Sequence, residues 1–167
     1  SPLLEVVVMD VGQGDGIYVR TPGGKNILID VGQDARRGVL PFLRSREINS
    51  IDVMVLTHPH ADHIGGALDV MNFCEVKEVL DSGKEHPTQQ TYRKILEAIQ
   101  ERGIPYQQPR AGDRLSWDPA LQVAVLHPDR ADYENINDNS IMIKVTYGKI
   151  SFLFTGDAEA EAEEVAL

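Results

Sequence analysis

Apolar positions along the chain switch between the spacing of strands and that of helices. Glu5 to Met9 is rich in β-formers and stops at Asp10-Val11-Gly12-Gln13-Gly14-Asp15-Gly16, where glycines permit tight turns and close backbone approach. Gly16 to Arg20 alternates as a strand, Thr21-Pro22-Gly23-Gly24-Lys25 is a turn, and Asn26 to Val31 is the returning strand. The chain is therefore expected to open as an antiparallel meander. Arg37 to Arg46 carries Val39, Leu40 and Leu43 at helical spacing. Ile51 to Leu56 is nearly all apolar, as for a strand covered on both faces. Asp62 to Phe73 reads as a helix and Val76 to Leu80 as a strand. Thr88 to Arg102 is amphipathic, with Tyr92, Ile95, Leu96 and Ile99 on one face and Gly103 to end it. Ile104-Pro105-Tyr106 resumes an extended course, and Leu121–Leu126, Ser140–Tyr147 and Ile150–Thr155 alternate as strands. Tyr147-Gly148-Lys149 is a tight hairpin turn between the last two, and the chain reads as helical from Ala158.

Strands and helices mix, with hairpins at both ends. This predicts α/β layering around mixed sheets rather than a purely parallel, doubly wound sheet. No repeat, low-complexity tract or linker interrupts the 167 residues, a length that suits one domain with a real core. The chain opens on Ser1-Pro2 and stops at Ala166-Leu167 inside an expected helix. Residues 1–167 are therefore read as a single domain cut from something longer and truncated at its C-terminus.

Charge changes this picture little. Lysine and arginine number 16 against 26 aspartates and glutamates, a net charge of −10. Such a field opposes sequence-independent binding to nucleic acid, although bound divalent cations or local basic patches reverse it near a site. Arg36-Arg37, Arg44 with Arg46, and Arg110 with Arg114 are the candidate patches, each otherwise an ordinary solvated charge. No apolar run is long enough to span a membrane. Cys74 stands alone, so no internal disulfide forms; it reads as a small buried hydrophobe on a helix.

The candidate chemistry lies in Thr57-His58-Pro59-His60-Ala61-Asp62-His63-Ile64-Gly65-Gly66. His58 and His60, two apart at a strand end, can point the same way. Asp62 and His63 follow where the chain turns into a helix. One loop thus offers two imidazoles to one metal, and a carboxylate with an imidazole to a second. These donors suit zinc or manganese. An isolated histidine is usually structural or superficial, but four ligand-type side chains in six positions after a buried strand would be costly without partners. Asp157, in Phe152-Leu153-Phe154-Thr155-Gly156-Asp157, also follows a strand. Alone it would read as a helix N-cap; beside the histidine cluster it is the best candidate to bridge two metals. Asp30 ends a strand too, and reads equally as a turn residue or as the partner that orients a ligand histidine. His86 reads as surface, and His127 either lines the site or caps its strand.

His58-Pro59-His60-Ala61-Asp62-His63 matches the HxHxDH signature of the metallo-β-lactamase superfamily, and Thr155-Gly156-Asp157 resembles its bridging-aspartate motif. Asp10 to Asp15, Leu28-Ile29-Asp30-Val31-Gly32, Asn137-Asp138-Asn139-Ser140 and Phe152 to Asp157 further resemble the soluble domain of the ComEC family of competence DNA-uptake proteins. The resemblance implies a metallo-β-lactamase-like αβ/βα sandwich with mixed sheets. It implies two divalent metal ions, with His58 and His60 on the first, Asp62 and His63 on the second, and Asp157 on both. A metal-activated hydroxide would be the nucleophile, with Asp62 also orienting it, so that Asp62 and Asp157 are the catalytic candidates. The implied substrate is DNA, of which the strand not taken up is degraded. The implied parent is embedded in the cell membrane with this domain on its extracytoplasmic face.

Two departures from the wider superfamily matter. Many relatives carry a histidine just before the strand that leads to the bridging aspartate; Asn135-Ile136-Asn137-Asp138-Asn139-Ser140 has none, an absence that ComEC-like members share. The first metal is left with fewer protein ligands; Asn137, Asp138 or Asn139 either contributes or forms a strand-entry turn. Relatives also continue past the bridging aspartate to a further histidine-bearing motif. The second half of the fold is therefore expected to be incomplete, which leaves the site open to holding two metals, one or none, and a sheet edge exposed to pairing with another chain. Two other functions compete. One is hydrolysis of a non-nucleic-acid phosphodiester or other ester of a cell-wall, lipid or small-molecule substrate, which the acidic charge favours. The other is a DNA-binding module with weak catalysis.

Overall fold

The first strands are apolar on both faces, and this decides where the rest of the chain packs. The computed structural model describes residues 2–86, 90–130 and 132–166. In chain order it contains β1 (Glu5–Val8), β2 (Gly16–Arg20), β3 (Asn26–Val31), α1 (Val39–Ser45), β4 (Ser50–Ile51), β5 (Val53–Leu56), α2 (Ala61–Ile64), α3 (Ala67–Phe73), β6 (Glu75–Val76) and β7 (Val79–Asp81). Then follow α4 (Gln90–Glu101), β8 (Tyr106–Gln107), β9 (Gln122–His127), a 3-10 turn (Asn137–Asn139), β10 (Met142–Tyr147), β11 (Ile150–Phe154) and α5 (Ala160–Ala166). The meander β1-β2-β3 forms as expected and opens a mixed sheet ordered β1-β2-β3-β5-β7-β8, parallel from β3 onward. A second sheet, β11-β10-β9, is antiparallel throughout.

Two cores lie on opposite faces of the mixed sheet. On one face Tyr18, Leu28, Met54 and Leu56 pack with Val39 and Leu43 of α1, Val70 of α3 and Ile95 of α4. On the other, Val19, Ile27, Ile29, Val53 and Val55 meet Val123, Val125, Ile143 and Val145 of the second sheet. The layers run helices, mixed sheet, antiparallel sheet, an α/β sandwich in which burial on both faces explains the unbroken apolar runs of β3 and β5. α5 packs against β9 and the 3-10 turn, with Ala162 buried.

Three elements differ from the sequence pattern. The run Ile51–Leu56 breaks at Asp52, whose carboxylate accepts the Asn26 N–H at 2.8 Å and the Lys77 ammonium at 3.0 Å. Ser50–Ile51 consequently leaves the mixed sheet and pairs with β6, while Val76–Leu80 divides into β6 and β7. The expected helix Asp62–Phe73 breaks into α2 and α3 at Gly65-Gly66. A Cβ at Gly65 would lie 2.4 Å from the Gln33 carbonyl oxygen and one at Gly66 2.7 Å from that of Val31. Only glycine lets this helix start sit on the end of β3, and that seat brings His63 to Asp30. The expected helix Thr88–Arg102 is described over Gln90–Glu101, and Thr88 and Gln89 lie outside the described residues.

Candidate metal centre

β3, β5 and β7 run parallel, and Asp30, His58 and Asp81 stand at or just beyond the same carboxyl ends, where open α/β sheets hold ligands. Asp30 has a φ of 56°, a left-handed conformation that aspartate tolerates better than most side chains. The twist turns its carboxylate inward, fully buried. Oδ1 accepts the Thr57 N–H at 2.8 Å. Oδ2 accepts the Thr57 hydroxyl at 2.6 Å and lies 2.7 Å from Nδ1 of His63. The orienting reading of Asp30 is therefore the one the structure bears out.

Proton bookkeeping now fixes both buried imidazoles. A carboxylate has no proton to give, so His63 carries its proton on Nδ1 and turns Nε2 outward. The Thr57 hydroxyl spends its proton on Asp30, so it can only accept from Nδ1 of His58, 3.1 Å away. His58 therefore also presents Nε2. Ser140 Oγ, 3.2 Å from Nδ1 of His58, accepts the Asp157 N–H at 3.2 Å and ties the β11–α5 loop to the histidine.

Asp157 points at these nitrogens rather than capping a helix. Its Oδ2 is 3.2 Å from Nε2 of His63 and 3.7 Å from Nε2 of His58. Nδ1 of His60 lies 3.1 Å from Nε2 of His58, so the two rings can share one proton or one cation. Among the described residues, three overlapping groups bring ligand atoms within 4.8 Å of one another: His58, His60 and Asp157; Asp15, His63 and Asp157; and Asp30, His58 and His63. The donors fit a borderline divalent ion, because both imidazoles keep a proton on Nδ1 and turn Nε2 toward a carboxylate; His58 offers a lone pair there, and a bound ion would displace the second proton of His63. Of the five expected ligands, His58, His60, His63 and Asp157 come together in these groups. Asp62 stands at the rim, 4.0 Å from Nε2 of His63, and joins none of them among the described residues.

Asp15 was named from the sequence only as the end of the Asp10–Asp15 motif, with no ligand role. Its signal was there: a ligand-type side chain in a glycine-rich loop directly after a strand. His86, expected on the surface, is half-buried with its ring 5.9 Å from that of His60. His127 is structural, its Nε2 2.6 Å from the Asp138 carbonyl oxygen. Asn137–Asn139 form the turn alternative. Asn139 secures the backbone of Tyr133 and Asn135, and Asp138 accepts the Glu159 N–H at 2.9 Å. The arginine patches are largely engaged locally: Arg36 with Asp34, Arg46 with Glu5, Arg44 over Phe73, Arg110 with the Ser82 carbonyl. Cys74 is buried at the end of α3, and burial pushes its thiol up to about 11.

The two buried histidines are driven apart electrostatically. Burial, with His63 and His60 nearby, pushes His58 down to about 3, so it stays neutral. Burial opposes charge on His63 as well, but the bond and charge of Asp30, then the charges of Asp157 and Asp62, outweigh it and lift His63 to about 9. Burial raises Asp15, an effect that Asp157 and Asp62 reinforce and His63 counters.

A pH signature follows for the metal-free chain. His63 is raised, so its contribution is complete below its ordinary value of 6.5 and is lost as pH climbs to about 9. His58 is lowered, so its contribution is present above 6.5 and is lost as pH falls toward 3. The melting temperature in chelator should peak near the shared ordinary value and fall on both sides, the His63 arm amounting to roughly 3 kcal/mol. A flat profile above the peak would contradict the Asp30–His63 assignment.

Residues 9–167 match the sequence model of the metallo-beta-lactamase superfamily. The chain belongs to this superfamily. Its members are generally metal-dependent hydrolases, in keeping with the histidine–aspartate site. Among related proteins, ComE operon protein 3 of Bacillus subtilis is 30% identical over 96% of this chain. Recombination protein 2 of Haemophilus influenzae is 31% identical over 99%, and competence protein ComA of Neisseria gonorrhoeae 28% over 95%. The likeness to ComEC-type competence proteins read from the motifs is thus matched across almost the whole chain. The chain spans only 23%, 20% and 20% of the lengths of these three proteins.

Solved structures agree on the metallo-beta-lactamase fold. CmlA, a diiron beta-hydroxylase from Streptomyces venezuelae, matches with a TM-score of 0.58 at 19% identity, over 92% of this chain and 30% of its own. The superfamily protein ST1585 from Sulfolobus tokodaii matches with a TM-score of 0.56 at 16% identity, over 92% of this chain and 63% of its own.

Proposed function

We propose that the chain is a metal-dependent phosphodiesterase that cuts DNA, serving as the nuclease domain of a DNA-uptake protein. The observation that carries this reading is the pair of locked imidazoles, each presenting Nε2 to the one carboxylate of Asp157 at the end of the parallel strands. His58, His60 and Asp157 would hold one divalent ion, zinc or manganese, and His63, Asp62 and Asp157 a second. Bound there, such ions polarise a phosphoryl oxygen and make water a nucleophile near neutral pH.

The chain's own residues do the rest. Asp30 and Thr57 keep protons on the inward nitrogens, so neither imidazole can turn away. Ser140 anchors Asp157 between them. Asp62, partly exposed at the rim, would accept the proton of attacking water. Similarity to proteins named for competence and recombination supports DNA as the substrate. On this reading the parent is membrane-embedded, and the domain acts on its extracytoplasmic face on the strand that is not transported. Among the described residues no helix is long and apolar enough to cross a membrane, so any anchor would come from other parts of the parent.

One observation favours a second reading. The net charge of −10 repels a polyanion and suits a smaller phosphodiester, such as a cell-wall or lipid headgroup. The test is to offer the purified chain single- and double-stranded DNA and a chromogenic phosphodiester, each with manganese or zinc. The proposal expects DNA cleavage that stops with chelator and with His58→Ala. Cleavage of the chromogenic diester alone would favour the second reading. DNA binding without cleavage, unchanged by His58→Ala, would make the chain a binding module.

A further inference from the structure

We infer that Asp15, delivered by the β1–β2 loop, is a direct ligand of the second metal, beside His63 and Asp157. The inference rests on the two-metal reading above and assigns a carboxylate from a part of the chain remote from the histidine cluster. Its ligand atom lies within 4.8 Å of those of both His63 and Asp157, a grouping that Asp62 does not join. Asp62 neighbours His63 in sequence, but the first turn of α2 carries its carboxylate to the rim, 4.0 Å from Nε2. Asp15 instead brings its ligand atom within 4.8 Å of that of His63 from the β1–β2 loop.

The loop is built to hold that position. The Gly32 N–H donates to the Asp15 carbonyl at 2.8 Å, and the Met9 N–H donates to the Gly16 carbonyl at 2.8 Å, so both flanks of the residue are pinned to strands. Gly14, at φ 84°, lies so close to α2 that a Cβ there would sit 1.8 Å from the Asp62 carbonyl oxygen. Any other residue at this position would lift the loop away from the helix that carries His63. The backbone thus approaches as closely as it can, and the next side chain is the half-buried carboxylate of Asp15. Asp15 would add a negative oxygen donor to an ion otherwise held by His63, the shared Asp157 and the rim carboxylate of Asp62. Charge and number of such donors set affinity for divalent ions.

The test is metal binding by the whole chain, followed by calorimetry with manganese and independent of turnover. Wild-type chain should bind two equivalents. Asp15→Asn should keep the first site at unchanged affinity and weaken the second at least about tenfold, with no change in the melting temperature of the metal-free chain. His58→Ala should show the opposite pattern, losing the first site and keeping the second. A second variant reads ligation directly: Asp15→Cys should weaken manganese at that site but take up one equivalent of cadmium with a cadmium–thiolate absorption band that wild type lacks, because thiolate prefers soft cations. Two undiminished manganese sites in Asp15→Asn, equal weakening of both sites, or no band in Asp15→Cys would each overturn the inference while leaving the two-metal reading intact. A wild-type chain that binds no manganese or zinc would overturn both.

Discussion

Asp157→Ala is expected to abolish metal-dependent turnover while leaving the fold in place. The Asp157 carboxylate lies 3.7 Å from Nε2 of His58 and 3.2 Å from Nε2 of His63. Removing it would take a shared anionic donor from both proposed ion positions at once, so the charge that ions there would supply to the transition state would be lost or misplaced. That charge is worth several kcal/mol, and each 1.36 kcal/mol is tenfold in rate, so the loss should be on the order of a thousandfold or more. Stability should change little, because the side chain is 41% exposed and its pairing with His63 is solvent-screened. Steady-state cleavage and a metal-free melt on the same sample separate the two effects. Turnover within about tenfold of wild type would remove Asp157 from the centre of the account.

Asp30→Ala should have the opposite profile and damage fold and site together. Asp30 is fully buried and accepts from the Thr57 N–H, the Thr57 hydroxyl and His63. Truncation leaves these donors buried without an acceptor, including an imidazole that Asp30 helps to keep charged. Breaking a buried charged pair from one side costs about 3–5 kcal/mol. The left-handed backbone at φ 56° adds strain for alanine. His63 would also lose the bond that fixes its tautomer, a change that lowers metal affinity by about 10–100-fold. Asp30→Asn keeps the shape and one acceptor but offers an amide N–H where His63 and Thr57 both need oxygen. Its cost should fall between wild type and alanine. Chemical denaturation in chelator, with metal titration of the folded variants, measures both consequences. An Asp30→Ala variant as stable as wild type would show that the buried bond set contributes nothing net.

The residues that the sequence disclosed and those that it hid differ in a physical way. His58, His60 and His63 were readable because they come from one loop, so spacing alone implies proximity. Asp157 was readable because it follows a strand and resembles a known motif. Asp15 was not, since its position depends on Gly14 meeting the Asp62 backbone, a contact between segments almost fifty residues apart. Ser140 belongs to a recognisable motif, but its role is hidden until the second sheet folds over the first and sets it 3.2 Å from His58. Asp52 looked like one polar interruption in an apolar strand, yet its bonds to Asn26 and Lys77 split that strand between two sheets. His86 looked superficial because nothing local shows that its loop returns to His60. The layer order was legible in outline because hairpins marked the antiparallel strands and unbroken apolar runs marked the doubly covered ones.

The central claim is that His58, His60, His63 and Asp157 form the core of a two-metal centre at the ends of the parallel strands. Anomalous X-ray scattering from crystals of the chain grown with manganese tests it most directly. The account predicts two adjacent peaks, one against His58 and His60 and one against His63 and Asp15, with the Asp157 carboxylate between them. No peak at this cluster, with manganese bound elsewhere on the acidic surface, would contradict it.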